Sequence, residues 1–436
     1  MTTLDIRLDI DGKRISAKKS SSAAYLHDAL TVAFDRGNDV GDITTSELNF
    51  SLIIPARAAN PLKIGAHVKV STDVNTLFVG YISAFEYRVL PENEAAKTNP
   101  LIRQRISATV TAVDPAYKYD NIRVPNEEES GVEEITVSDA IAQLEEECLN
   151  AGKPLDIYIP SYTGELSQPH LKITLAKSKI FDGSPVLEAL QKVARTLGRR
   201  IHFDRANPDR VQLFEFAEIR TDADIIPATA VESSDVWATA VDETPSRIET
   251  RWLKIVNDEK LEENVWFFNK KDVENSVIRR IDTPTTDSDT ARNLVIRING
   301  RPQPLMSLRN IRIMWTAAAA WHGPYGDIAL SEMFKSPRRT FVVLGAVAPT
   351  PELSNIGGVV SKARLTVNPS PTSSGLRRGE LELTLHPGDI TPSGDWPELF
   401  KHWHDLPPRM SWEYASYPQT WERYANPPKL GGVQIN

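Results

Sequence analysis

Apolar residues in this chain return at every second position in segment after segment, and a period of two argues for strands that bury one face and expose the other. Leu4, Ile6, Leu8 and Ile10 fall on one side of the opening segment, and Asp11-Gly12 follows as a two-residue turn into Arg14-Ile15. This predicts a hairpin. Leu48, Phe50 and Leu52 share a face, followed by Val68-Lys69-Val70 and then Leu77 to Ile82, with turn chemistry at Asn60-Pro61 and Gly65 between them. Ile106, Ala108, Val110 and Ala112 alternate with Ser107, Thr109 and Thr111, as expected of an antiparallel sheet with one wet face. A short helix is expected around Ser22 to Phe34. Residues 1–124 are expected to form one small β-barrel or sandwich.

The period then changes. The acidic run Glu127 to Glu129 with Ser130-Gly131 marks a boundary, after which Ile141, Leu144 and Cys148 lie on one helical face between a Ser138 cap and Gly152. A second helix is predicted from a Ser184 cap and Pro185 at the first position, through Leu187, Leu190, Val193, Ala194 and Leu197, to Gly198. Ile201 to Phe203 and Val211 to Phe216 read as a strand pair across Asn207-Pro208-Asp209. Residues 125–225 are therefore expected to be an α+β module. Strands return at Ile248 to Val256 and Val265 to Phe268, while Arg292 to Ile298 belongs to an element whose type the pattern leaves open. The first part of a second β domain is placed at 226–300. The alanines within Arg309 to Trp321 predict a core helix in a helical insertion over 301–338. Return strands at Thr340 to Val347, Val359 to Val367 and Gly379 to Leu385 place the rest of that domain at 339–390. The segment 391–436 holds Trp396, Trp403, Trp412 and Trp421 among Pro407-Pro408, Pro418 and Pro427-Pro428. That composition blocks long helices and central strands, so an extended arm is expected whose indoles are interface candidates.

With 436 residues the chain has material for about three domains, and its apolar content of 41% is enough to build cores. Fifty Lys plus Arg against 58 Asp plus Glu leave a net charge of −8, which argues against a general DNA-coating role. Cys148 is the single cysteine, so neither an intramolecular disulfide nor a thiolate zinc cage is available. No signal segment is visible at the start and no run approaches the roughly 18 apolar residues of a bilayer span. Synthesis in a reducing cytoplasm, without membrane insertion, is the expectation.

Signatures of catalysis are missing from the sequence: no Gly-x-Ser-x-Gly, His-Glu-x-x-His, phosphate-binding Gly-x-x-x-x-Gly-Lys-Ser/Thr or Gly-x-Gly-x-x-Gly occurs. His402 and His404, with Asp405 and His386, supply too few ligands for a metal site. Cys148 stands late in its helix beside Glu145, Glu146 and Glu147, which disfavour a thiolate. No enzymatic activity, cofactor or metal is expected. The tryptophans of the last segment also suit a sugar platform, so a carbohydrate-binding or adhesion protein is the competing reading.

One set of residues resembles a family. Pro61-Leu62-Lys63-Ile64-Gly65-Ala66-His67-Val68-Lys69-Val70, then Leu77-Phe78-Val79-Gly80-Tyr81-Ile82, then Ile106 to Asp114 follow the order "G-x-x-V-x-V … L-F-x-G-x-I … V-x-A-x-D" of the tail-hub, or baseplate hub, proteins of long-tailed bacteriophages, also labelled minor tail proteins. Gly183 to Phe216 and the Trp-rich end are similar to that family as well. The resemblance implies a mainly β, multidomain chain: two small antiparallel β-barrels of tail-hub type, an α+β insertion and an extended C-terminal arm. It further implies a structural protein of the virion tail tip, a homotrimer that forms a ring between the tail tube and tip or fibre proteins. Its partners would be a distal tail protein, a tape-measure protein and phage DNA passing through the lumen without specific binding. The insertion Leu90 to Leu101 departs from the family pattern and is expected to be an outer loop.

Overall fold

The computed structural model describes residues 7–35, 37, 41–71, 76–90, 105–126, 132–159, 169–204, 207–215, 223–227, 233–238, 247–257, 260–269, 278–299, 306–316, 339–343, 355–368 and 378–386. The chain begins with eight strands: β1 (Arg7–Ile10), β2 (Lys13–Ile15), β3 (Tyr25–Leu26), β4 (Leu30–Asp35), β5 (Thr45–Ile54), β6 (His67–Ser71), β7 (Thr76–Leu90) and β8 (Arg105–Val113). The expected hairpin is present, with Ile10 opposite Lys13 and both turn residues in the left-handed region (Asp11 φ 47°, Gly12 φ 74°), where Asp and Gly are tolerated. Leu48, Phe50 and Leu52 are buried together with Val68, Val70, Ala108, Val110 and Ala112, as the alternation predicts. The helix expected around Ser22 to Phe34 is instead β3 and β4. Leu30, Val32 and Phe34 alternate inward with period two, and β4 is held between β5 and a strand from far along the chain.

The three motif glycine and aspartate positions have structural explanations. Gly65 has φ +77° and its N–H donates to the Ile82 carbonyl at 2.8 Å, so it makes the turn into β6. A Cβ on Gly80 would lie 1.9 Å from the Val113 carbonyl oxygen and 2.6 Å from the Phe78 ring, so β7 and β8 approach closely only because Gly80 has no side chain. Asp114 accepts from the Ser46 N–H at 2.7 Å and the Ala116 N–H at 2.9 Å, tying the end of β8 to β5 and capping the 3₁₀ turn Pro115–Lys118. Replacing Asp114 by Ala leaves two inner N–H groups without their charged acceptor. A loss of about 2 to 4 kcal/mol in urea unfolding is expected, with Asp114→Asn recovering part of it.

An α+β module follows: β9 (Glu134–Thr136), α1 (Val137–Asn150), β10 (Asp156–Tyr158), β11 (Thr174–Ala176), α2 (Lys177–Ile180), α3 (Val186–Thr196), β12 (Arg199–Phe203) and β13 (Arg210–Glu215). The stripes Ile141, Leu144 and Cys148 of α1 and Leu187, Leu190, Val193 and Ala194 of α3 close over Ile201, Phe203, Val211 and Leu213. The caps differ from expectation by a residue or two. Thr136, rather than Ser138, accepts from the Asp139 N–H at 3.1 Å. Pro185, rather than Ser184, occupies the cap position of α3, with no side-chain hydrogen bond to the helix. Gly152 and Gly198 follow the two helices with φ of +71° and +64°, the backbone state that lets a helix stop. Antiparallel β12 and β13 form the expected pair, and β10 joins β13 in parallel.

The remaining elements are β14 (Ala223–Pro227), β15 (Ser233–Ala238), β16 (Arg247–Val256), β17 (Lys260–Asn269), β18 (Ile278–Asp282), α4 (Ser288–Asn299), β19 (Met306–Thr316), β20 (Arg339–Val343), β21 (Asn355–Val367) and β22 (Arg378–His386). The element left open at Arg292 to Ile298 is helical, in α4. Of the segment Arg309 to Trp321, the described part is a strand rather than a core helix: Met306–Thr316 pairs with β22, Ile311 and Ile313 opposite Leu383 and Leu381. Partner strands on both sides of β19 set its conformation, whereas the alanines that carried the helical reading, 317–320, lie outside the described residues.

Long-range pairing then unites the chain. One fourteen-stranded sheet runs β15-β19-β22-β21-β4-β5-β8-β7-β6-β1-β2, with β3, β14 and β20 attached at its side. Its middle is the antiparallel seam of β4 and β21, where Val32 faces Leu365 and Phe34 faces Ala363. Ala363, Leu365, Val367, Leu381 and Leu383 therefore share one core with the N-terminal strands. The α+β module is tied to this sheet by backbone bonds from residues 41–44 to β12: Gly41 N–H to Arg199 O and Thr44 N–H to Ile201 O, both 2.7 Å. Its other side is tied to a separate three-stranded sheet, β17-β16-β18, through Ala176 N–H to Pro284 O at 2.8 Å and Leu253 N–H to Thr285 O at 2.9 Å.

Candidate assembly surfaces

On β4, β21 and β22 the side chains of the outer face are small, hydroxylated or charged, because every second residue of each strand must leave the core. Across the seam, Lys362 is opposite Asp35 and Thr384, Arg364 opposite Ala33 and Glu382, and Thr366 opposite Thr31 and Glu380. Ala33 leaves a depression between its longer neighbours, an open groove of about 370 Å³ lined by Asp35, Glu47, Lys362, Arg364 and Glu382 among others. Two cations of this face are paired with carboxylates, while Arg364 stands exposed opposite Glu382. Lys362 Nζ lies 2.7 Å from Asp35 Oδ2, and on the adjoining β19 Arg312 Nε lies 3.4 Å from Glu380 Oε1. The groove offers carboxylates and cations on an exposed sheet, which is an electrostatic surface rather than a dry pocket for chemistry.

A second surface belongs to the three-stranded sheet. Helix α4 covers one face, where Leu294 packs on Ile248 and Ile281, and Trp266 donates from Nε1 to Ser288 Oγ at 3.0 Å. Among the described residues no element packs on the opposite face. There Glu249 is buried between Arg247 Nε at 2.7 Å and Arg280 Nε at 3.1 Å, and the Arg247 guanidinium sits 4.1 Å above the Phe267 ring. Val265, Phe267 and Ile278 stand exposed around this cluster, Phe267 by 52%. Apolar and arginine side chains on a flat open sheet are the composition of a protein contact. The run Val265 to Phe268 is visible in the sequence, but only the helix on one side of the sheet decides which of these residues stay exposed.

No further candidate for chemistry arises among the described residues. Cys148 is fully buried, and burial together with Glu145 and Glu147 pushes its thiol up to about 11, so it is a core residue. Burial also raises the Glu145 carboxyl, which is held by the Ile157 N–H at 2.6 Å and accordingly has a structural partner. Tyr119 is displaced upward by burial and by Asp209. It donates to the Pro154 carbonyl at 2.8 Å, while Lys118 Nζ holds Asp209 at 2.6 Å. None of these groups faces a cleft with a free nucleophile. Among the described residues no cluster of three His, Cys, Asp or Glu could hold a metal, and no helix is long and apolar enough to cross a membrane. His386 ends β22. His402, His404 and Asp405 lie outside the described residues, as do the four tryptophans Trp396, Trp403, Trp412 and Trp421, the 91–101 part of the expected outer loop and the acidic run at 127–129.

Comparison of the sequence with protein-family models and with curated proteins finds no match. Comparison of the fold with solved structures does. The chain is similar to the tail protein from Neisseria meningitidis MC58, with a TM-score of 0.51 and 12% identity over 87% of this chain and 96% of that one. It is similar also to the 43 kDa tail protein of prophage MuSo2 from Shewanella oneidensis, with a TM-score of 0.51 and 11% identity over 88% of this chain and 99% of that one. At such identity the likeness is one of fold, and it extends over nearly the whole of each chain. The chain has the mainly β fold of phage tail proteins.

Proposed function

We propose that this chain is a structural protein of a bacteriophage tail tip, a homotrimer whose subunits form the hub ring between the tail tube and the tip or fibre proteins. The observation that carries the reading is the fold-level similarity to two tail proteins over almost their full length. In this reading each subunit contributes two barrel-like β regions meeting at the β4–β21 seam, and the ring lets DNA pass on ejection without binding it. The outer face of the seam supports that role. Its Lys362 and Arg312 are matched by carboxylates and Arg364 lies among Glu47, Glu382 and Asp35, so acidic groups interrupt the cations that a polyanion would meet there.

Distal tail protein, tape-measure protein and tip or fibre proteins are the proposed neighbours, with the chain made in the bacterial host cytoplasm and carried in the virion. The segment 391–436 then serves as the arm by which one subunit holds another, with Trp396, Trp403, Trp412 and Trp421 as its anchors. A structural role agrees with the closed polar networks around Glu249, Asp114 and Tyr119, which fix side chains rather than present them to a substrate.

Imaging of intact particles tests this directly. Three copies encircling the tail axis at the tip are expected. A position on the head or on a side fibre, or binding of purified protein to cell-wall glycan that disappears in Trp412→Ala, overturns the hub in favour of adhesion.

A further inference from the structure

Strand β7 leaves its neighbour halfway along. From Thr76 to Tyr81 it pairs with β6, but from Ala84 to Leu90 its only strand partner is β8, so among the described residues that half is a sheet edge. Exposed edges with apolar residues are templates for another strand. The orientation of this edge can be followed residue by residue. Ile82 donates to the Ala66 carbonyl at 2.9 Å and accepts from the Gly65 N–H at 2.8 Å, so its backbone groups point away from β8. The register against β8 slips by one residue between Ile82 and Ala84. The slip transfers the outward orientation to Phe85, Tyr87 and Val89, which oppose Val110, Ala108 and Ile106. Their side chains lie toward the core face, yet Tyr87 is 39% and Val89 56% exposed. Glu86 and Arg88 alternate with them on the polar face, both exposed.

We propose that this edge pairs with the same edge of a second copy of the chain, antiparallel and two-fold symmetric about Tyr87. Only residues with outward backbone groups can exchange hydrogen bonds, which allows few registers. A register with Phe85 opposite Tyr87 sets Glu86 against Glu86. One with Tyr87 opposite Val89 sets Arg88 against Arg88. The register centred on Tyr87 places Phe85 opposite Val89, lets all three residues bond, and sets Glu86 against Arg88 on both sides of the axis. It also covers the exposed parts of Tyr87 and Val89 with their symmetry mates. A two-fold contact of this kind closes on itself and cannot propagate round a ring. It is therefore a contact of the chain outside the ring and is independent of the proposed function.

The test is the mass of the purified full-length protein at micromolar concentration, in wild type and charge variants. Wild type is expected to dimerise. Glu86→Arg and Arg88→Glu each bring like charges together twice and are expected to weaken the dimer about tenfold or more, while the double variant restores it. Both side chains are exposed, so unchanged thermal unfolding of the single variants separates loss of pairing from loss of fold. A wild-type chain without a dimer, single variants that dimerise as wild type does, or a double variant that stays apart overturns the proposal.

Discussion

Gly80→Ala is expected to be the most damaging single-methyl change in the described N-terminal strands, lowering stability by about 3 kcal/mol or more. The added Cβ falls 1.9 Å from the Val113 carbonyl oxygen and 2.8 Å from its carbon, and these are backbone atoms of the neighbouring strand. A flexible side chain can swing aside. A backbone held by the β5–β8 and β7–β8 ladders on both sides cannot, so relief requires β7 and β8 to separate where Phe78 and Ile82 are fully buried. Gly65→Ala is the control: nothing lies within 4 Å of its Cβ, and only the positive φ of +77° opposes the change. A cost of about 1 to 2 kcal/mol is expected there. Urea unfolding of both variants measures the difference. A Gly80→Ala midpoint as high as that of Gly65→Ala would show that the strands are not held as close as this.

The second large effect concerns a contact made across more than three hundred residues of sequence. Leu365 is 1% exposed on β21, beside Val32 of β4 and Leu381 of β22, both equally buried. Leu365→Asp places a carboxylate among hydrocarbon with no partner, at a cost of about 4 kcal/mol or more. The milder Leu365→Ala is expected to cost about 2 to 5 kcal/mol through the cavity it leaves. Because the core is common, the damage should reach the N-terminal strands. Amide exchange at Leu48, Phe50 and Leu52 in β5 is expected to accelerate together with that of β21. Unchanged protection of β5 in Leu365→Ala would mean that residues 7–113 fold as a unit of their own, and that the seam is a docking contact between two finished domains.

The family-like motif gains a physical meaning from the same contacts. Gly65, Gly80 and Asp114 were legible as a pattern, but their roles as turn, close approach and cap emerge only when β7 meets β8 and β8 meets β5. The arginine and aromatic cluster around Glu249 was not legible at all. Its members are spread over β16, β17 and β18, and no spacing in the chain announces that Arg247, Glu249, Phe267 and Arg280 share one face.

The helix anticipated at Ser22 to Phe34 is instead the two strands β3 and β4, and the described part of Arg309 to Trp321 is a strand as well; in both places remote partners set the conformation. A window of a dozen residues with mixed spacing satisfies either period, and the choice falls to whichever partner can take up the backbone groups. For β4 that partner is β21 and for β19 it is β22 and β15, all of them remote in the chain.

What the order of residues determined without help is therefore local: which side chains of β1, β5, β6 and β8 face inward, where Asp11-Gly12 and Gly65 turn the chain, and where Gly152 and Gly198 end the helices. These depend on side-chain alternation and on φ, quantities set within a few residues. Tertiary structure alone decided that β4 lies beside β21 and that the beginning and end of the described chain form one sheet. Alternation specifies a face but no neighbour. A strand edge offers the same N–H and C=O groups to any strand, so the pairing is selected only when buried apolar surfaces from distant segments fit together and outweigh the entropy of closing the long loop between them.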